Sequence, residues 1–134
     1  MILGNTQLQF SYDAQKGILY AKWPEFGPYT IQHLEEPFSE IISTLIRCNA
    51  SKFIIDASHC IINHSDAGFR EMMELFVSGL AQTPLRKLAR VKRPDSVYAN
   101  LFDNFFQEIS TAMEVDITFK NFATKEEALA WLEE

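Results

Sequence analysis

The sequence predicts an α/β sandwich: a mostly parallel sheet with an antiparallel N-terminal hairpin and the element order ββαβαβαβα. Three observations predict it. The first segment alternates in polarity through Leu8, Phe10 and Tyr12, and a glycine turn joins it to a second strand-like run, Ile18 to Trp23, as in a hairpin. From Pro37 onward, stripes at helical spacing take turns with short apolar runs, which is the pattern of repeated αβ units. The chain of 134 residues, 47% hydrophobic and 22% charged, has the composition of one globular domain, so residues 1–134 are taken as a single unit.

Leu8, Phe10 and Tyr12 fall on one face of the first strand, with Gln7, Gln9 and Ser11 on the other. Asp13 to Gly17 is a turn in which Gly17 can take a positive φ. Ile18 to Trp23 is the returning strand, and Pro24, Gly27 and Pro28 interrupt regular structure after it. Phe38, Ile41, Ile42, Leu45 and Ile46 form one helical stripe, with Pro37 suited to its first turn, where a missing N–H costs nothing.

Lys52 to Asp56 is an apolar run of the kind buried on both faces. A polar loop then leads to Ser65, a good helix cap, and Asp66 beside it favours the helix dipole. Phe69, Met72, Met73, Phe76 and Leu80 mark the second helix, bracketed by Gly79 and Pro84. Leu88 to Val91 is the next strand, and Ser96 caps a third helix carrying Tyr98, Leu101, Phe102, Phe105, Phe106, Ile109 and Met113. Val115, Ile117 and Phe119 alternate as the last strand. Thr124 to Glu127 is a capping box opening a short helix whose core face is Leu129, Trp131 and Leu132.

This order, together with Phe53-Ile54-Ile55-Asp56, Lys87-Leu88-Ala89-Arg90-Val91 and the closing Phe122…Glu126-Glu127-Ala128-Leu129-Ala130-Trp131-Leu132, resembles a SpoIIAA-like STAS domain. More narrowly, it is similar to small bacterial proteins grouped with STAS and lipid-binding CRAL-TRIO domains. The resemblance covers nearly the whole chain. It implies a regulatory or ligand-binding module rather than an enzyme. Among anti-sigma-factor antagonists of this family, a serine in an Asp-Ser-Ser-Gly motif is phosphorylated at the cap of the helix after the buried strand. His64-Ser65-Asp66-Ala67 stands there in this chain, with Gly68 one place late. Ser65 keeps the hydroxyl while its flanking residues depart from the motif.

The net charge of −6 argues against nucleic-acid binding, which needs a basic footprint. Residues 86–93 nevertheless hold five of the twelve Lys and Arg. That stretch reads first as a solvated strand whose charges block edge-to-edge pairing, or pair with the molecule's own acids. It is also suited to an anionic headgroup, a phosphate or an acidic protein face. No apolar run approaches the ~20 residues that span a bilayer. The N-terminus lacks signal-peptide character, so the expected compartment is the cytoplasm. Cys48 and Cys60 read as free thiols, and no metal or cofactor signature is seen.

Ligands of open α/β sheets bind beyond the carboxyl ends of the parallel strands. Two loops are expected at that edge, 56–66 and 92–96. The candidate binding or switch surface is therefore Asp56, Ser58, His59, His64, Ser65, Asp66, Lys92 and Arg93. The expected function is binding of a partner protein or of a small apolar or anionic ligand. Two alternatives use the same loop. One is a hydrolase or transferase with Ser58, Ser65 or Cys60 as nucleophile and His59 or His64 as base. The other is a phospho-switch at Ser65, where a phosphate would meet helix-terminal N–H groups. Phe106 widens the third helix's apolar face beyond one sheet contact, which suggests a homodimer through the Phe102–Phe106 segment.

Overall fold

The computed structural model describes residues 8–22, 31–57, 69–92 and 97–134. Its elements are β1 (Gln9–Asp13), β2 (Ile18–Lys22), α1 (Ile31–Cys48), β3 (Lys52–Asp56), α2 (Phe69–Leu80), β4 (Lys87–Val91), α3 (Val97–Ala112), β5 (Thr118–Phe122) and α4 (Lys125–Leu132). The strands form one sheet in chain order. β1 runs antiparallel to β2, and β2, β3, β4 and β5 are mutually parallel.

The opening hairpin follows from its turn chemistry. Asp13 Oδ1 accepts from the backbone N–H of Gln15 at 3.0 Å and of Lys16 at 3.2 Å. Gly17 closes the turn by donating to the Asp13 carbonyl, and its φ of 69° is the left-handed conformation glycine adopts without cost. Among the described residues, two non-glycine residues have a positive φ, and both end helices. Asn49 follows α1 and Glu114 follows α3, at φ of 56° and 55°. In each case the next N–H reaches five residues back, Ala50 to Leu45 and Val115 to Ser110, satisfying a carbonyl the helix leaves open.

A sheet that is mostly parallel needs cover on both faces, and strand alternation supplies two apolar surfaces. Leu19, Ala21, Phe53, Ile55 and Leu88 pack with α1, α2 and α3 through Phe38, Ile41, Leu45, Met73, Phe76, Val77, Leu80, Phe106 and Ile109. Ile18, Ile54, Ala89 and Val91 face the other way, onto Ala128 and Leu132 of α4. The three longer helices thus share one face, and α4 covers the other. Phe38 and Phe76 stack with centroids 4.1 Å apart, joining α1 to α2. Ile42 lies so close to Gly79 that any larger residue at 79 would have to displace it.

Four expectations change. Pro37 is buried inside α1 rather than at its start, because the helix begins at Ile31 and forgoes the backbone hydrogen bond that proline cannot donate. β5 starts at Thr118, since the turn at Glu114 leaves Val115 and Ile117 as a connector packed on the core. β4 is no solvated or edge strand: it lies between β3 and β5, with Leu88 to Val91 buried. Phe106 is no surplus either, being 1% exposed and set against Phe119 at 4.7 Å. The side chain of Phe102 lies outside the described residues.

The backbone strain at these turns gives a direct check. Gly17→Ala should cost about 1 kcal/mol, because the added methyl meets only ordinary contact with Ser51 and the penalty is purely conformational. Glu114→Gly should raise stability by up to about 1 kcal/mol by the reverse argument. Urea denaturation of the two variants measures both signs.

Candidate functional site

Each parallel strand delivers its last residues to the same edge, and the alternation of side chains decides which face they reach. In β3, Ile54 belongs to the α4 side, so Asp56 does too. Tyr20, on β2, donates its hydroxyl to Asp56 Oδ2 at 3.3 Å. The ammonium of Lys125, at the first position of α4, stands 3.9 Å from the centre of the Tyr20 ring. Burial, then the negative charge of Asp56 and its hydrogen bond, hold the Tyr20 hydroxyl above the ordinary tyrosine pKa.

On the opposite face the pattern is richer. Leu88 packs under the three helices, so Arg90 and Lys92, two and four residues on, point toward α3. There Asp103 receives three donors. Arg90 Nη1 lies 2.7 Å from Oδ1, Lys92 Nζ 2.8 Å from Oδ2, and Asn121 Nδ2 2.9 Å from Oδ2. The side chains are 9% exposed for Arg90, 17% for Lys92 and 18% for Asp103, so these ion pairs lie mostly out of water. Asn121 Oδ1 is buried without a hydrogen-bond partner among the described residues. Turning the amide over would set that oxygen against the Asp103 carboxylate, so the orientation is fixed by its better half.

Of the eight residues the sequence proposes as a surface, Asp56 and Lys92 are described, and both lie at the carboxyl ends of neighbouring strands. The backbone ties those ends together: Ala57 donates to the Val91 carbonyl at 2.9 Å, and Lys92 to that of Phe122 at 3.1 Å. Their side chains, however, serve opposite faces of the sheet. Ser58, His59, His64, Ser65, Asp66 and Arg93 lie outside the described residues, as do Cys60 and the 93–96 loop. The nucleophile-and-base arrangement and the Ser65 switch fall there as well.

Sequence reasoning missed Asp103, Asn121 and Tyr20. The signal for Asp103 is present: with Phe106 and Ser110 it repeats at helical spacing on the face turned to the sheet, and Ser110 is 9% exposed. A carboxylate on that face requires a cation opposite, and the basic strand supplies it. Among the described residues no group of three or more His, Cys, Asp or Glu is gathered for a metal, and no helix is long and apolar enough to cross a membrane. Comparison of the chain with protein-family models, curated proteins and solved structures finds no match.

Replacing Asp103 with Ala should destabilise the fold by about 3 kcal/mol, since it leaves buried cations without their carboxylate. Denaturant titration reads this, and a loss no larger than that of Glu133→Ala, whose pair with Lys16 is exposed, would contradict it. The raised Tyr20 pKa has its own consequence. Folding favours the protonated phenol, so that contribution is intact below about pH 10 and is lost as pH climbs through the higher folded value. Ultraviolet titration should show Tyr20 ionising above the ordinary tyrosine range, and Asp56→Asn should bring its ionisation earlier.

Proposed function

We propose that the chain is a STAS-like, non-enzymatic binding or regulatory module of the cytoplasm, which engages a protein partner or a small apolar or anionic ligand at the carboxyl edge of its sheet. The element order and the antiparallel start of the sheet support the STAS-like part of this reading. The observation that carries the rest is the buried ionic cluster on Asp103. A strand end that needs only a polar finish is served by exposed or half-exposed groups, as Lys52 and Thr118 serve the amino end. At the carboxyl end, three charged side chains are instead withdrawn from water and held by one another. Such a pair gains little stability over apolar residues of the same size, because desolvation offsets most of the attraction. Its gain is a fixed set of charges at the edge where ligands of α/β sheets dock.

Native mass spectrometry of protein purified without denaturation should show a non-covalent adduct or a bound partner, with no turnover of activated esters or phosphoesters. Ester turnover that disappears in His59→Ala or His64→Ala would replace this reading with the hydrolase.

A further inference from the structure

The sheet has two outer strands, β1 and β5, and they end it differently. In β1, Gln9, Ser11, Tyr12 and Asp13 are exposed and Phe10 is half-buried. Tyr12, a large aromatic, is 37% exposed. No lysine, arginine or proline stands among residues 9–13, although lysine and proline are the residues with which edge strands keep another strand from adding. β5 carries such a residue, Lys120, exposed at its middle.

The register shows which backbone groups of β1 point away from the sheet. Backbone groups along a strand face its two neighbours in alternation. The Gly17 carbonyl accepts from the Lys52 N–H at 3.3 Å, so Gly17, Leu19 and Ala21 face β3, while Ile18, Tyr20 and Lys22 face β1. The partners of the latter three are Asp13, Ser11 and Gln9, which leaves the N–H and C=O of Phe10 and Tyr12 turned outward. Among the described residues no strand pairs with that side of β1.

We propose that this edge pairs with the same edge of a second copy, antiparallel and centred on Ser11, joining two five-stranded sheets into one continuous sheet. The proposal goes beyond the carboxyl-edge reading and does not rest on it. In this register every residue of β1 has a partner. Phe10 of each copy meets Tyr12 of the other, and each of these pairs exchanges two backbone hydrogen bonds, because both members face outward. Their rings stand on the three-helix face, where Phe10 already packs on the core. There they form aromatic cross-strand pairs that cover Tyr12. On the other face Gln9 meets Asp13 of the second copy. Asp13 uses Oδ1 for its turn, so the Gln9 amide can donate to Oδ2. Lys22 stands beside Gln9 in β2, so an acid, an amide and a base lie in a row across the joined sheets. Ser11 opposes itself without charge or bulk. The same pairing of β5 about Lys120 sets two ammonium groups against each other, which directs association to β1.

So small an interface gives a reversible dimer. Sedimentation equilibrium of the full chain should show monomer and dimer in exchange, with dimer the main species by about 1 mM. Ser11→Lys sits at an exposed position and leaves the backbone bonds to β2 in place. It should weaken association about tenfold or more while the far-ultraviolet spectrum is unchanged. Ser11→Cys tests the register. Opposed residues that share no hydrogen bond lie about 4.5 Å apart at Cα, within disulfide reach, so oxidised glutathione should link two copies through position 11. Gln9→Cys, whose counterpart lies at the far end of the paired strand, should give no link through position 9. A chain still monomeric at about 1 mM, a dimer indifferent to Ser11→Lys, or a Ser11→Cys dimer that forms no link would each overturn the proposal. A monomeric chain that takes an extended segment of another protein on this edge, and loses it in Ser11→Lys, would overturn self-pairing as well.

Discussion

The carboxylate of Asp103 is the constraint on which the arrangement of the larger layer depends. It binds groups from β4 and β5 at once, so α3 cannot slide along the sheet or tilt away from it without breaking several charge-assisted bonds. The rest of α3 follows from that register. One turn further on, Phe106 lands on Phe119, two residues before Asn121 in β5, as expected for a helix running antiparallel to its strand. Ile109 then reaches the centre of the core. On its outer side α3 holds α2, with Glu108 on Arg70 at 2.6 Å and the Arg70 guanidinium 5.6 Å from the centre of Phe105. These exposed contacts add little by themselves. They refine a placement that the buried ion pairs and the phenylalanines have already made.

The two faces of the sheet solve the burial problem differently. On the side of three helices, large residues from α1 and α2 meet Leu19, Phe53 and Leu88, and directional control comes from the polar cluster at one end. On the side of α4, alanines at 89 and 128 are both fully buried and let a short helix lie close to the strands. Eight residues cannot hold a helix in water unaided. α4 is secured instead by its cap, where Thr124 accepts from the Glu127 N–H at 3.2 Å, and by cations laid on aromatic rings at both ends, Lys125 on Tyr20 and Lys87 on Trp131.

Much of this was legible in the sequence because it is local. The hairpin turn needs an aspartate and a glycine at fixed places, and Asp13 and Gly17 stand there. The capping box at Thr124 acts within four residues. Periods of two and of 3.6 separate strands from helices wherever the run is long enough. What failed depends on partners distant in sequence. A basic strand looks solvated until a carboxylate twelve or so residues away is known to sit beneath a helix. Phe106 looks superfluous until Phe119, on a strand distant in the helix's own pattern, is known to lie against it. Pro37 reads as a helix start because proline is costly inside a helix, and the burial of Pro37 and Phe38 outweighs that cost.

The candidate surface itself illustrates the same division. Loop position along the chain brought Asp56 and Lys92 to one edge, which strand order alone guarantees in a parallel sheet. The face was decided by parity: Asp56 shares its side with Ile54 and Tyr20, Lys92 with Leu88 and Arg90. The edge therefore carries two chemically different ends. One is a phenol and a carboxylate sharing a hydrogen bond beside α4, whose charge balance is acidic unless Lys125 is counted. The other is a carboxylate gathering two cations beneath α3. One strand edge therefore presents buried cations held by a carboxylate on its α3 side and the Asp56 carboxylate on its α4 side, a difference set by side-chain alternation alone.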